Sequence, residues 1–492
     1  MRKGLVLTIV LAVALVMTIS FGIPAAEAGS ASCETRVNNN SKKLLECVTL
    51  DGVRTHQAAF QAIADANGGT RASGTPGYDA SADYVADLME AAGYNVTVQT
   101  FVFDTFRQLG PSTLQQTAPG SVTYVEETDY NMMSFSAAGD VTAAVTAVDL
   151  QLGLGNTNSS GCQAADFIGF PPGDIALIQR NSFCTFQLKA ENAAAAGAVG
   201  AIIFNQGNTE DREGLVNGTL GPTYAGGIPV FFATYDRGEE WDATPVLELH
   251  MVADVSTGPF TTSNIIAETL RGRDDQVVVV GAQLDSVFAG PGINNNGSGA
   301  AAILEVALQM KRVTPVNKVR FIWFGAEEDG LRGSDYYVNN LTDEELNNIM
   351  LYLNFNTIGS PNFVRFILDG DDAIEALFED FYGALGVPSE STPFLSSAFP
   401  FFAEDIPVGG LFTGTNGIKT DAQVALFGGT AGDQYDPCWH LACDTFDNVN
   451  LVALEQNADA AAFAVIQNAM GAKAKKKIKI KLKSSSSSLA VE

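Results

Sequence analysis

The sequence predicts an α/β protein: a mixed, mostly parallel sheet sandwiched by helices. Three observations carry this expectation. In the last block of the chain, after the middle third, short apolar runs alternate with helical stretches. Gln276 to Gly281, Lys318 to Gly325 and Asn347 to Asn354 read as strands, and Ala300 to Arg312 reads as a helix. The run Val277-Val278-Val279-Val280 has no polar alternation, as in a strand covered on both faces. Polar residues then cluster just past the strand ends, at Gln283, Asp285, Glu327, Glu328 and Asn356. Ligands of such sheets sit beyond the carboxyl ends of the strands.

The earlier elements follow in order. Residues 29–48 form a short leader tied by cysteines, and His56 to Ala66 is an amphipathic helix. Asn67 to Gly77 is a turn-rich loop, Ala80 to Ala92 a second helix, and Tyr94 to Phe103 an alternating strand. The middle third holds strands at Val141 to Leu150, Gly173 to Gln179, Ala198 to Phe204 and Ile228 to Ala233, with an Ala-rich helix from Thr185 to Gly197. It offers no obvious chemical residues.

The chain opens with Arg2-Lys3, an apolar run from Leu5 to Phe21 and Ala26-Glu27-Ala28, so residues 1–28 read as a secretory signal peptide rather than an uncleaved anchor. No later stretch is apolar enough to span a bilayer. The expected location is therefore secreted or extracytoplasmic, with no membrane span after cleavage. Six cysteines suit an oxidising compartment. The simplest of their fifteen pairings is local: Cys33 with Cys47, Cys162 with Cys184, and Cys438 with Cys443. Net charge is −28, which argues against nucleic-acid binding. The tail, residues 471–492, is basic and Ser-rich, with seven lysines from Lys473 to Lys483, and reads as disordered.

Six stretches carry the chemistry. They are Gly281-Ala282-Gln283-Leu284-Asp285-Ser286, Gly292-Ile293-Asn294-Asn295-Asn296-Gly297-Ser298-Gly299, Gly325-Ala326-Glu327-Glu328, Asn354-Phe355-Asn356-Thr357-Ile358-Gly359-Ser360, Ile406-Pro407-Val408-Gly409-Gly410-Leu411 and Cys438-Trp439-His440. Their order and spacing resemble the secreted di-zinc aminopeptidases over most of residues 50–470. The resemblance implies a discontinuous aminopeptidase-like domain, residues 29–130 and 259–470, interrupted by a protease-associated α/β domain, residues 131–258. That insert reads as a lid beside the cleft or as a contact surface for substrate or partner.

The resemblance also implies a ligand set. The family has His at position 283, Asp at 295 and Asp at 356; this chain has Gln283, Asn295 and Asn356. Glu328 and His440 match the remaining two ligands, and Glu327 matches the general base. Asp285 is expected to orient a neighbour, with Gln283 or His440 as its new partner. Trp439 stands where the family often has a tyrosine. In Phe394-Leu395-Ser396-Ser397-Ala398-Phe399-Pro400-Phe401, the family's Arg, Asp and His are replaced by apolar and small residues. Amide oxygens are poor zinc ligands, and two good ligands fall short of a catalytic zinc site. No cofactor is expected, or at most one weakly bound zinc. Alternative roles are a hydrogen-bonded His440 in a stapled loop and a solvated Glu327-Glu328 pair. His56 and His250 are too isolated to serve as replacement ligands, and Asn296-Gly297-Ser298 is formally a glycosylation sequon that the family uses as a turn at the site floor.

Two functions follow from this reading. The first is a non-catalytic or altered relative that binds a peptide or protein in its cleft. The alternative is an active metallo-aminopeptidase that removes N-terminal residues with an unusual or single-metal site. A metal-free hydrolysis through Glu327 is a third, less economical reading.

Overall fold

A computed structural model describes residues 30–393 and 396–471. The signal-peptide reading, the tail beyond Gly471, and Phe394-Leu395 lie outside the described residues.

Two eight-stranded sheets organise the chain. Strand β1 (Asn95–Gln108) belongs to the first. The second sheet is built from β2 (Thr113–Ala118), β3 (Val122–Thr123), β4 (Tyr130–Met132), β5 (Gly139–Val148), β6 (Ile175–Gln179), β7 (Gly200–Phe204), β8 (Val230–Ala233) and β9 (Glu248–Ala253). The chain then returns to the first sheet with β10 (Val255–Glu268), β11 (Arg273–Gln283), β12 (Asn317–Phe324), β13 (Ile349–Phe355), β14 (Phe366–Leu368), β15 (Glu390–Thr392) and β16 (Val408–Phe412).

The first sheet runs β1-β10-β12-β11-β13-β16-β14-β15. Its centre is parallel: β11 pairs with β12 and β13, and β13 with β16. Antiparallel pairs flank that centre, β1 with β10, β10 with β12, and β14 with β16. Strand alternation splits β11 between two cores. Val278 and Val280 pack with Ala301, Leu304 and Leu454 on one face. Val277 and Val279 pack with Phe324, Tyr352 and Phe401 on the other. Burial on both faces explains the unbroken valine run. In the second sheet, β5, β6, β7 and β8 are parallel neighbours.

Several boundaries differ from the sequence expectations, each for a local reason. The first helix begins at Leu50, not His56, because Thr49 accepts a bond from the Gly52 amide as N-cap. A Cβ at Gly52 would lie 2.4 Å from Glu305 Oε1, so a larger residue there would have to displace that carboxylate. The second helix starts at Pro76, capped by Thr75; proline at N1 is a start signal rather than part of the loop. Residues 343–348 are helical under a Thr342/Glu345 capping box, so β13 begins only at Ile349. Strand β1 runs on to Gln108 because it pairs with β10 along its whole length. All three expected disulfides are present.

Gly299, in the first turn of the helix Gly297–Met310, lets that helix approach the end of β13. A Cβ at Gly299 would sit 2.1 Å from the Phe355 carbonyl oxygen. Gly299→Ala is therefore expected to destabilise the protein by about 2 kcal/mol or more, read as a lower midpoint in urea unfolding.

Candidate functional site

Three parallel strands deliver the candidate residues to one edge. β11 ends on Gln283, followed by Asp285; β12 leads into Glu327 and Glu328; β13 leads into Asn356. Asn295 arrives on the loop before the helix Gly297–Met310, and His440 on the loop closed by Cys438–Cys443. The structure thus brings these seven positions together.

They form one hydrogen-bonded network. Gln283 Nε2 donates to Glu327 Oε2 at 3.0 Å. Asn295 Nδ2 donates to Glu328 Oε1 at 2.8 Å. His440 Nε2 lies 2.9 Å from Glu328 Oε2. Asn356 Nδ2 donates to Ser396 Oγ at 2.8 Å, and the Ser396 hydroxyl donates to Glu327 Oε1. The amide oxygens are also engaged. Gln283 Oε1 accepts from Asn296 Nδ2 at 3.0 Å, and the Thr357 hydroxyl lies 2.8 Å from both Asn295 Oδ1 and Asn356 Oδ1. Each amide turns its N–H toward a carboxyl group or hydroxyl, and the single Thr357 proton serves one of the two asparagine oxygens at a time.

Asp285 takes neither of its expected partners. Its two oxygens accept the backbone amides of Glu327 and Glu328, both at 3.2 Å. It is fully buried, and burial followed by the charges of Glu328 and Glu327 holds its carboxyl well above the ordinary range. Burial, then Glu328, pushes the Glu327 carboxyl up to about 8. His440 sits in the loop closed by Cys438–Cys443 and pairs with Glu328 at the site. Its ring stacks on that of Trp439, with centroids 3.6 Å apart. The solvated reading of Glu327-Glu328 fails: the Glu328 side chain is 9% exposed. Asn296 is buried and caps the helix through the Gly299 amide, so its sequon lies inside the protein.

His56 is taken up by the Tyr84 hydroxyl and Glu305, and His250 by Asp140. Among the described residues, no three His, Cys, Asp or Glu side chains form a group able to hold a metal.

Sequence reasoning missed the supports. Asp444 accepts the backbone amides of Asn294 and Asn295, and Asp436 accepts from the Asn294 side chain and the Cys438 amide. Burial and the neighbouring Asp436 push Asp444 up to about 6. Arg71, fully buried, donates to the carbonyls of Leu284, Pro291 and Gly292. Its position in a turn-rich segment gave no hint of this. Ala326, Thr357 and His440 all have φ between 49° and 61°, a left-handed conformation that costs non-glycine residues about 1–3 kcal/mol each.

Comparison with known proteins shows the family and the fold. Residues 264–465 match the model of peptidase family M28, and residues 141–241 match that of the PA domain. The chain belongs to peptidase family M28. An aminopeptidase of Pseudomonas aeruginosa is 53% identical over 434 residues, covering 85% of this chain and 81% of that protein. Among solved structures, an aminopeptidase from Aneurinibacillus sp. strain AM-1 superposes with a TM-score of 0.62 at 25% identity, covering 90% of this chain and 98% of that one. BSAP, a zinc aminopeptidase from Bacillus subtilis, gives 0.57 at 26% identity, covering 87% and 97%. The mixed α/β fold expected from sequence is the one observed.

Two outcomes follow from the network. Asn295→Asp replaces a donor to Glu328 with a second carboxylate, which should cost the metal-free protein about 3 kcal/mol at pH 8. The introduced carboxyl binds its proton more tightly folded than unfolded, so the deficit should shrink toward pH 4. Glu327 has the same sign. Its folded value of about 8 exceeds the ordinary 4.5, so its contribution to stability is full below 4.5 and lost as pH rises through 8. Denaturation midpoints should decline across that window, and less steeply in Glu327→Gln.

Proposed function

We propose that this chain is an exported relative of the zinc aminopeptidases that binds a peptide or protein in its cleft and has given up normal di-zinc catalysis. One observation carries the reading. The side chains at three family ligand positions are amides, and two of them spend their N–H groups on Glu327 and Glu328. A zinc site needs anionic or imidazole donors with their lone pairs turned inward. Here the inward groups of Gln283 and Asn295 are N–H donors, which repel a cation.

The residues present do not fit a pair of zinc ions. One position would be served by Gln283, Asn295 and Asn356 alone. The other retains Glu328 and His440, which face each other at 2.9 Å. No step through a metal is therefore derived. With no metal between them, Glu327 and Glu328 present hydrogen-bond-accepting carboxyl oxygens at the cleft, and a peptide's amino-terminal ammonium is a complementary donor. Three disulfides support export to an oxidising compartment. Among the described residues no helix is long and apolar enough to cross a membrane.

The second reading, an aminopeptidase working with one zinc, draws on the retained Glu327, Glu328 and His440 and on the names of the relatives. Calorimetric zinc titration separates the two. Gln283→His/Asn295→Asp/Asn356→Asp restores three direct ligands. Losing a residue that merely orients a ligand typically costs 10- to 100-fold in metal affinity, so the triple variant should bind zinc about 100-fold or more tightly than the parent. Equal affinity in the two proteins, or chelator-sensitive release of N-terminal leucine by the parent, would overturn the proposal.

A further inference from the structure

The second sheet carries a feature that its sequence did not advertise. Three loops follow the carboxyl ends of its parallel strands β5, β6 and β7, and they lie against one another. The Gly155 amide bonds the Asn208 carbonyl at 2.9 Å, and Asn158 Nδ2 bonds the Arg180 carbonyl at 3.1 Å. Arg180, directly after β6, and Arg212, after β7, come together here. Arg180 Nη1 donates to Asn205 Oδ1 at 3.1 Å, and Arg212 Nη1 donates to Ser182 Oγ and Gln206 Oε1 at 2.9 and 2.5 Å.

Both guanidinium groups are held by neutral partners. Among the described residues, neither makes an ion pair within 4 Å, in a chain with twice as many acidic as basic residues. Burial and the like charge of Arg212 lower the pKa of Arg180. The acidic residues flanking Arg212 in sequence, Glu210, Asp211 and Glu213, are exposed, and Asp211 bonds Thr209. Two apolar side chains on the same loops stand in solvent: Leu154, 74% exposed, and Phe183, 71% exposed. Carboxyl ends of parallel strands are where open α/β sheets take ligands. A fixed pair of arginine forks suits a carboxylate.

We infer that the loops after β5, β6 and β7 form a binding site for a peptide carboxylate, with Arg180 and Arg212 holding the anion and Phe183 and Leu154 covering an adjoining apolar side chain. The site is separate from the M28 cleft and does not depend on the function proposed for that cleft. The favoured occupant is the free C-terminus of a peptide ending in a large apolar residue. An internal Asp or Glu side chain offers the same chemistry, and the test distinguishes them.

The probes are three fluorescein-capped peptides, blocked at the amino end so that an ammonium-binding cleft cannot engage them. One ends in Gly-Ala-Leu with a free carboxylate. The second is its C-terminal amide. The third is an amide with an internal Asp. Fluorescence anisotropy on the full chain should show binding of the first, with the amide at least about tenfold weaker, because a charge-assisted hydrogen bond is lost. Arg212→Gln and Arg180→Gln should each weaken the first peptide by about tenfold or more, with circular dichroism and Tm confirming that both fold. Phe183→Ser, on an exposed side chain, should reduce the preference for terminal Leu over terminal Gly. Binding of the third peptide as tightly as the first would shift the assignment to internal acidic residues and overturn the C-terminal one. Equal binding of acid and amide, unchanged binding by folded arginine variants, or no binding of any probe at millimolar concentration would overturn the site.

Discussion

Everything at the edge of the first sheet answers one constraint: three carboxyl groups, Asp285, Glu327 and Glu328, are set close together where little water reaches them. Such groups must be neutralised, hydrogen-bonded or protonated. Here Asp285 is satisfied by two backbone amides, Glu327 by Gln283 and Ser396, and Glu328 by Asn295 and His440. The amides at 283, 295 and 356 are thus integral to the charge balance of the edge. They act as a set, since Thr357 touches Asn295 and Asn356 while Asn296 ties Gln283 to the end of β13.

The surrounding fold holds that set rigidly. Arg71 clamps the loop after β11, while Asp436 and Asp444 fix the backbone before Asn295 and the start of the His440 loop. Positive φ at Ala326, Thr357 and His440 adds local strain that only a strongly constrained scaffold retains. The amide-bearing network is therefore held from several sides of the fold.

Much of this was legible in the sequence. The valine run of β11 and the polar residues after β11, β12 and β13 were enough to place the edge, because strand burial and strand ends leave strong local signals. The resemblance to the aminopeptidases then assigned each position. What escaped was long-range. The packing of Gly52 against Glu305, 253 residues away, leaves no local signal. Asp285 was paired wrongly with side chains because its true partners are backbone N–H groups, which carry no residue identity. Arg180 and Arg212 were passed over because their proximity depends on β6 and β7 lying side by side, and 31 intervening residues hide it.

In the network at this edge every carboxyl group finds its partners without metal. Elemental analysis of the purified protein, soaked in zinc and then dialysed, is the test. The network described here predicts close to zero zinc per chain. A value close to two would contradict it, because both cations would have to displace the amide donors now bound to Glu327 and Glu328.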